Sequence, residues 1–111
     1  MAFQVIDAIE EDLPKGDVVV VRQVLQHLSN KHISKIVPKI PAFKTALITE
    51  HLPAGRFTPN LDKQTGPDHR PSFNSGVVLT DPPFNMKVVS EEIICEVPSE
   101  GGLIRTIAYT F

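Results

Sequence analysis

Four consecutive valines, at residues 18–21, interrupt a polar part of the chain. Four β-branched apolar residues in a row are typical of a strand that is buried on both faces inside an α/β sheet. The polar residues after them would then lie at the carboxyl end of a strand, where open α/β sheets bind their ligands. The sequence therefore predicts that a site begins in the segment 17–30.

Shorter apolar patterns flank the valines. Residues 3–6 predict a strand that ends at Asp7. After the valines, apolar residues at helical spacing lead to Ser29 or Asn30, either of which is a suitable cap for a helix over about residues 31–39. Two prolines bring that helix to a close.

A further strand and a long connection come next. The strand is predicted over residues 43–49, so Glu50 and His51 come directly after it, at its carboxyl end. The stretch from about residue 52 to residue 85 holds six of the ten prolines and shows no helical period. A loop of this length inside a compact domain is usually functional or disordered.

The chain closes with two strand-like runs, residues 86–97 and 103–111. Gly101 and Gly102 between them supply the positive φ angles of a tight hairpin. The order strand, strand, helix, strand, long loop, hairpin predicts one α/β domain over residues 1–111. We expect a mixed sheet, few helices and an antiparallel hairpin at the carboxyl end.

Composition narrows the function classes. The 111-residue chain has a net charge of −2 and no run of Lys or Arg, so no nucleic-acid partner is predicted. Its apolar runs are too short to span a membrane and no charged-then-apolar leader is seen, so a cytoplasmic protein is expected. Cys95 is the single cysteine, which excludes an internal disulfide, and we expect it to be buried in a strand.

Histidines and one carboxylate are the candidate catalytic groups. His27, Glu50 and His51 all come after predicted strands, so they would meet at one edge of the sheet as an acid–base site or an adventitious metal site. The alternative for His27 is a half-buried side chain that caps a backbone group. His27 and His32 are five residues apart, which is not the spacing of two ligands on one helical face, so no dedicated metal site is predicted.

The segments 3–7 (Phe-Gln-Val-Ile-Asp), 13–14 (Leu-Pro) and 17–28 (Asp-Val-Val-Val-Val-Arg-Gln-Val-Leu-Gln-His-Leu) together resemble the second half of a class I S-adenosylmethionine-dependent methyltransferase. By this resemblance, residues 43–49 are the fifth strand of that fold, and the closing hairpin is the sixth and seventh, the last inserted antiparallel. The loop is similar to one in a bacterial subgroup, through Asn60-x-Asp62, Thr65-Gly66, Arg70-Pro71 and Pro82-Pro-Phe-Asn85. The likeness covers essentially the whole chain.

The resemblance also implies roles for single residues. It places Asp7 against the adenine of the cofactor, with Ala8, Arg22 and Gln23 nearby. Asp7 is equally suited to forming a turn, and Arg22 to pairing with Asp7 or Glu50. His69 and Arg70 would bind an anionic substrate, or would simply be solvated loop residues.

The glycine-rich first motif of this family, which holds the methionyl end of the cofactor, is absent. The cofactor is therefore either S-adenosylmethionine, by resemblance only, or none. The leading interpretation is a methyltransferase-like protein, a partial Rossmann-like sheet that does not bind the cofactor fully by itself. The alternative is a non-catalytic homo-oligomeric module that uses the loop 52–85 to hold a small ligand or a partner, since a fold does not by itself fix a function.

The missing motif also affects the valines. In the family, the strand equivalent to residues 18–21 is central, and its neighbour, the first strand, does not exist here. An unpaired apolar strand promotes aggregation unless something covers it. Either residues 3–6 pair beside it or a second copy of the chain covers it, and we predict a homodimer.

Overall fold

The centre of the molecule is a four-stranded mixed sheet, seen in a computed structural model that describes residues 7–68 and 70–111. The strands of this sheet are β1 (Val18–Arg22), β2 (Thr45–Pro53), β5 (Ser90–Ser99) and β6 (Gly102–Thr110). Two further strands, β3 (Thr58–Pro59) and β4 (Ser75–Gly76), form a separate short parallel pair within the predicted loop.

The order of strands in the main sheet is β1-β2-β6-β5. β1 runs parallel to β2, whereas β6 lies between β2 and β5 and is antiparallel to both. The prediction of a small α/β protein with a mixed sheet and a closing antiparallel hairpin is therefore confirmed. The strand predicted over residues 3–6 lies outside the described residues.

The prediction that residues 18–21 are buried on both faces is wrong. Val18 and Val20 are 52% and 64% exposed, whereas the alternate residues Val19 and Val21 pack against the core. Within the described part of the chain, β1 is an edge strand with β2 as its single neighbour. A run of valines shows no alternation, so the sequence does not reveal that only one face is covered.

One helix and its extension cover the core face of the sheet. Helix α1 (Asn30–Ile36) begins at Ser29, whose hydroxyl accepts a hydrogen bond from the His32 N–H at 3.2 Å. A 3-10 helix, Val37–Ala42, continues it, and shorter ones span Leu25–His27 and Arg70–Phe73. No helix in the described residues is long and apolar enough to cross a membrane.

Strand β2 is longer than predicted. It runs to Pro53, because β6 pairs with it along its whole length, as far as the pair Pro53 and Gly102. Glu50 and His51 therefore lie inside the strand rather than after its end. Successive side chains alternate between the two faces of a strand, so these two residues project to opposite sides of the sheet.

The hairpin has its tight turn one residue earlier than predicted. Positive φ angles occur at Glu100 (47°) and Gly101 (78°), and Gly102 already belongs to β6. Gly102 is required for a different reason, since a Cβ atom there would lie 2.3 Å from the Leu52 carbonyl oxygen. Cys95 is exposed rather than buried, because β5 is the other edge strand of the sheet.

Much of the proline-rich stretch is ordered around Asn60. The Asn60 side chain donates to the carbonyl oxygens of Val78 (2.8 Å) and Pro82 (2.9 Å) and accepts from the Val78 N–H (2.8 Å). Its backbone has a positive φ of 57°, which Asn adopts more readily than most residues. A single buried amide thus joins two distant parts of the loop.

Candidate functional site

The turn at the carboxyl end of β1 is the part of the predicted site that the structure orders most strongly. Gln23 comes directly after the strand with a φ of 52°, and its N–H donates to the Thr49 carbonyl oxygen at 2.7 Å. The chain then forms the 3-10 turn Leu25–His27, in which Leu25 and Gln26 are buried. Two ionisable residues from other segments, Glu50 and Arg70, hold this turn.

Glu50 is 4% exposed and projects from β2 towards the turn. Its Oε1 accepts from the Leu25 N–H and its Oε2 from the Gln26 N–H, both at 3.2 Å. Burial raises the pKa of Glu50 to about 8, although the two backbone N–H groups and the Arg70 charge act in the opposite direction. Glu50 therefore keeps its proton at neutral pH and acts mainly as a support for the turn.

Arg70 is completely buried and donates to the same turn. One terminal nitrogen of its guanidinium lies 3.1 Å from the Leu25 carbonyl oxygen and 3.4 Å from that of Gln26. Its Nε donates to the Leu61 carbonyl oxygen at 2.9 Å. Burial lowers the pKa of Arg70, and the carboxylates of Asp62 and Glu50 oppose that shift. The predicted contact with an anionic substrate would have to compete with these internal bonds.

Asn30 connects Arg70 to the rest of the loop. Its Oδ1 accepts from Arg70 at 2.6 Å, and its Nδ2 donates to the Asn60 carbonyl oxygen at 2.9 Å. The Asn30 N–H donates to Asp62 Oδ1 at 2.9 Å. Hydrogen bonding to this N–H is the largest of the effects that lower the pKa of Asp62. The start of α1 and the loop are therefore one hydrogen-bonded unit.

The predicted catalytic histidines lie in different surroundings. His27 is half-buried beneath the loop, with Nδ1 3.2 Å from the Asp68 carbonyl oxygen and Nε2 3.4 Å from Gln26 Nε2. The His51 imidazole lies on the other face of the sheet, 3.1 Å from the Ser99 carbonyl oxygen. Glu50 and His51 are thus not brought into one site. In the described residues no group of three or more His, Cys, Asp or Glu side chains is placed to hold a metal ion.

Of the four residues assigned to the cofactor, Ala8 and Arg22 line an apolar cavity of about 240 Å³ beside β1, whereas Asp7 and Gln23 do not. Ala8 and Arg22 line it together with the valines of the strand. Asp7 is exposed and its Oδ1 accepts from the Ile9 N–H at 2.9 Å, which is the turn-forming role. Arg22 is exposed and takes part in none of the ion pairs of the described residues. His69, the other predicted substrate residue, lies outside those residues.

These residues do not fit the whole of S-adenosylmethionine. The cavity is smaller than the roughly 300–1,000 Å³ usual for ligand pockets, and it has room for a nucleobase-sized group rather than a nucleoside with an amino-acid tail. Among the described glycines, positive φ angles occur at Gly55 and Gly101, neither of which lines this cavity. No glycine-rich loop is present to hold the methionyl end.

The sequence did not indicate the buried amides that hold the site together, Gln26 and Asn60. Gln26 is 3% exposed, and its Oε1 accepts from the His51 N–H at 2.9 Å. The available signal for Asn60 was the pattern Asn60-x-Asp62, which marks two of the loop residues that contact Asn30. Comparison of the chain with protein-family models, curated proteins and solved structures found no match.

Proposed function

We propose that this chain is the carboxyl-terminal half of a methyltransferase-type sheet, in which it supplies a nucleobase-sized pocket and the loops on the acceptor side. The observation that carries the proposal is the strand order β1-β2-β6-β5. In the family that the chain resembles, the fourth, fifth, seventh and sixth strands lie side by side in this order. The seventh strand runs antiparallel between the fifth and the sixth. β6 occupies that position.

The cavity beside β1 supports the proposal. It lies against the strand whose carboxyl-terminal residues would approach the cofactor, and its lining includes Ala8 and Arg22, two of the residues that the resemblance assigns to the cofactor. Its walls are apolar, which suits the flat face of a nucleobase. The chain offers nothing comparable for a methionyl group, so it is proposed to bind the base end only, and to bind it weakly.

Methyl transfer by the chain alone is not part of the proposal. Glu50, the buried carboxyl group nearest to the turn, is used to hold the Leu25 and Gln26 N–H groups, so it is a positioning residue. A complete site would need a second polypeptide segment that adds the missing strand along β1. The exposed edge of β1 is available for such pairing in the described residues.

Two parallel titrations monitored by NMR test the proposal. Adenosine is expected to shift the amide signals of Ala8, Arg22 and Val24 in a saturable way, with a dissociation constant of about 1 mM, or roughly −4 kcal/mol. S-adenosylhomocysteine is expected to bind no more than a few times better than adenosine. The absence of saturable shifts with adenosine would refute the nucleobase pocket. Binding of S-adenosylhomocysteine below about 100 μM, roughly −5.5 kcal/mol, would show instead that the chain holds the whole cofactor.

A second candidate function is favoured by the exposed valines. Val18 and Val20 on an edge strand form an apolar surface that a second copy of the chain would cover. In that case the chain is a non-catalytic homo-oligomeric module, and its loop holds a small ligand or a partner. The oligomeric state distinguishes the two candidates. A homo-oligomer is expected for this module, and a monomer is expected if β1 pairs with a different polypeptide segment.

A further inference from the structure

A second cavity lies at the opposite flank of the sheet, between the β5–β6 hairpin and the segment 78–80. Its volume is about 510 Å³, inside the range of roughly 300–1,000 Å³ that is usual for small-molecule sites. Val78, Ile93 and Ile107 provide apolar walls. It shares no lining residue with the cavity beside β1, so a ligand in this second cavity would be independent of the proposed function.

Tyr109 is the feature of this cavity that points to a ligand. The side chain lines the cavity and is only 2% exposed, yet its hydroxyl has no hydrogen-bond partner within residues 7–68 and 70–111. No fully buried side-chain nitrogen or oxygen of the described residues lacks a hydrogen-bond partner, so the Tyr109 hydroxyl is the part of this side chain that reaches the cavity and is accessible to a ligand there. Burial raises the pKa of Tyr109, and the hydroxyl therefore stays protonated and is able to donate or accept.

The charges around the phenol are predominantly negative. Glu91 lies directly opposite Tyr109 in the β5–β6 pairing, and its charge has the largest effect, after burial, in raising the pKa of the phenol. The one cation in the lining, Arg105, donates through Nε to Glu96 at 2.6 Å. Glu91 has no such partner in the described ion pairs. A positively charged group is therefore the better match for this end of the cavity.

We propose that this cavity binds a small organic amine with an apolar body, whose ammonium group lies between Glu91, the Tyr109 hydroxyl and the Thr80 hydroxyl. An ammonium group has three donors and no acceptor, so a carboxylate and two hydroxyl oxygens satisfy it completely. The apolar part of the ligand would lie along Val78, Ile93 and Ile107. A quaternary ammonium ion lacks these donors and would bind less well.

The test compares three probes of equal chain length: n-hexylamine, hexanoate and hexanol. Each is titrated at neutral pH into the isotope-labelled protein, and amide shifts are recorded by NMR. Hexylamine is expected to give saturable shifts at Thr80, Glu91 and Tyr109, and to bind about tenfold more tightly than hexanol. Hexanoate is expected not to bind.

Two variants locate the ammonium group. Glu91→Gln removes the charge at an exposed position and is expected to weaken hexylamine binding about tenfold, whereas Tyr109→Phe removes the hydroxyl and is expected to weaken it a few fold. Glu11→Gln, the same change in the segment before β1, should leave binding unaltered. Tyr109→Phe should not lower the melting temperature, because the hydroxyl has no internal partner to lose.

Three results would overturn the proposal. The first is equal binding of hexanol and hexylamine, which would make the cavity an apolar pocket without charge selectivity. The second is binding of hexanoate at least as tight as that of the amine, which would assign the site to anions through Arg105. The third is hexylamine binding that neither Glu91→Gln nor Tyr109→Phe alters, or no saturable binding at all.

Discussion

Glu50 and Arg70 bind the same two residues from opposite sides: the Glu50 carboxyl group accepts the N–H groups of Leu25 and Gln26, and Arg70 donates to their carbonyl oxygens. Both side chains are buried, and each opposes the pKa shift that burial causes in the other. The turn after β1 therefore depends on residues 25 and 45 positions away along the chain.

Replacement of Arg70 by Met should destabilise the protein strongly. The change nearly keeps the volume but removes the guanidinium that donates to the carbonyl oxygens of Leu25 and Leu61 and to Asn30 Oδ1. We expect the free energy of unfolding in urea to fall by about 3 kcal/mol or more. Arg56→Met, at an exposed position of the same loop, should change it by less than about 0.5 kcal/mol. Equal effects of the two variants would contradict the assigned role.

The stability of the protein should fall as the pH rises from about 4.5 to about 8. In that interval the unfolded chain has lost the Glu50 proton while the folded protein, with a pKa of about 8, retains it. The unfolded state therefore binds fewer protons, and the free energy of unfolding decreases with pH. The full effect is on the order of 5 kcal/mol, reached above pH 8.

The variant Glu50→Gln isolates this contribution. Gln does not titrate, so the decrease in unfolding free energy between about pH 5 and 8 should largely disappear in urea titrations run at several pH values. Glu92→Gln, an exposed carboxyl group in β5, serves as the control and should keep the wild-type slope. An unchanged slope in Glu50→Gln would show that the titration belongs to another group.

Asn60→Ala should unfold at a lower urea concentration than Asn85→Ala. Both asparagines have a positive φ, 57° and 47°, so both variants bear a similar backbone strain, on the order of 1 kcal/mol. Only Asn60 is buried and bonds to Val78 and Pro82 through its side chain. We expect Asn60→Ala to lose about 2 kcal/mol more than Asn85→Ala. Equal losses would mean that these side-chain bonds contribute nothing.

Val20→Lys should prevent self-association if a second copy covers β1. A lysine on an exposed edge strand opposes pairing with another strand, and Val20 is already 64% exposed, so the fold itself should tolerate the change. Light scattering at micromolar concentration is expected to show a dimer for the wild type and a monomer for Val20→Lys.

The control for that experiment is Val89→Lys, at the 81% exposed residue just before β5. It should remain a dimer, because it lies at the far side of the sheet from β1. A monomeric wild-type protein in the same experiment would refute the homodimer. Pairing of β1 with a different polypeptide segment would then be the remaining way to cover the strand.

Local patterns predicted the parts of the fold that depend on neighbouring residues. Two strand-like runs and a short glycine-containing turn indicated the β5–β6 hairpin, and Ser29, which caps α1, was one of the two candidate caps together with Asn30. The burial of a side chain on a strand depends on which other segments pack against that strand, and these segments are distant from it along the chain. For that reason the exposure of Val18 and Val20, and of Cys95 on β5, was predicted wrongly.

The site was predicted less completely than the fold. Glu50 was recognised as a candidate because it comes after an apolar run, but its partners are backbone N–H groups, which no side-chain pattern marks. Arg70 was predicted to contact an anionic substrate or to be a solvated loop residue, and the sequence did not indicate that it is completely buried. The pattern of a proline-rich stretch does not show which of its side chains face the core. The amide of Asn60 is decisive only through contacts with residues about twenty positions later.

The position of β6 between β2 and β5 sets the order in which the sheet is able to form. β5 and β6 are joined by a two-residue turn, so their pairing needs only a short loop closure. β2 meets β6 only after residues 54–101 have folded back, which costs more chain entropy and is slower. The hairpin should therefore form early and act as the template on which β2, and then β1, align. The last strand along the chain thus belongs to the first stage of folding.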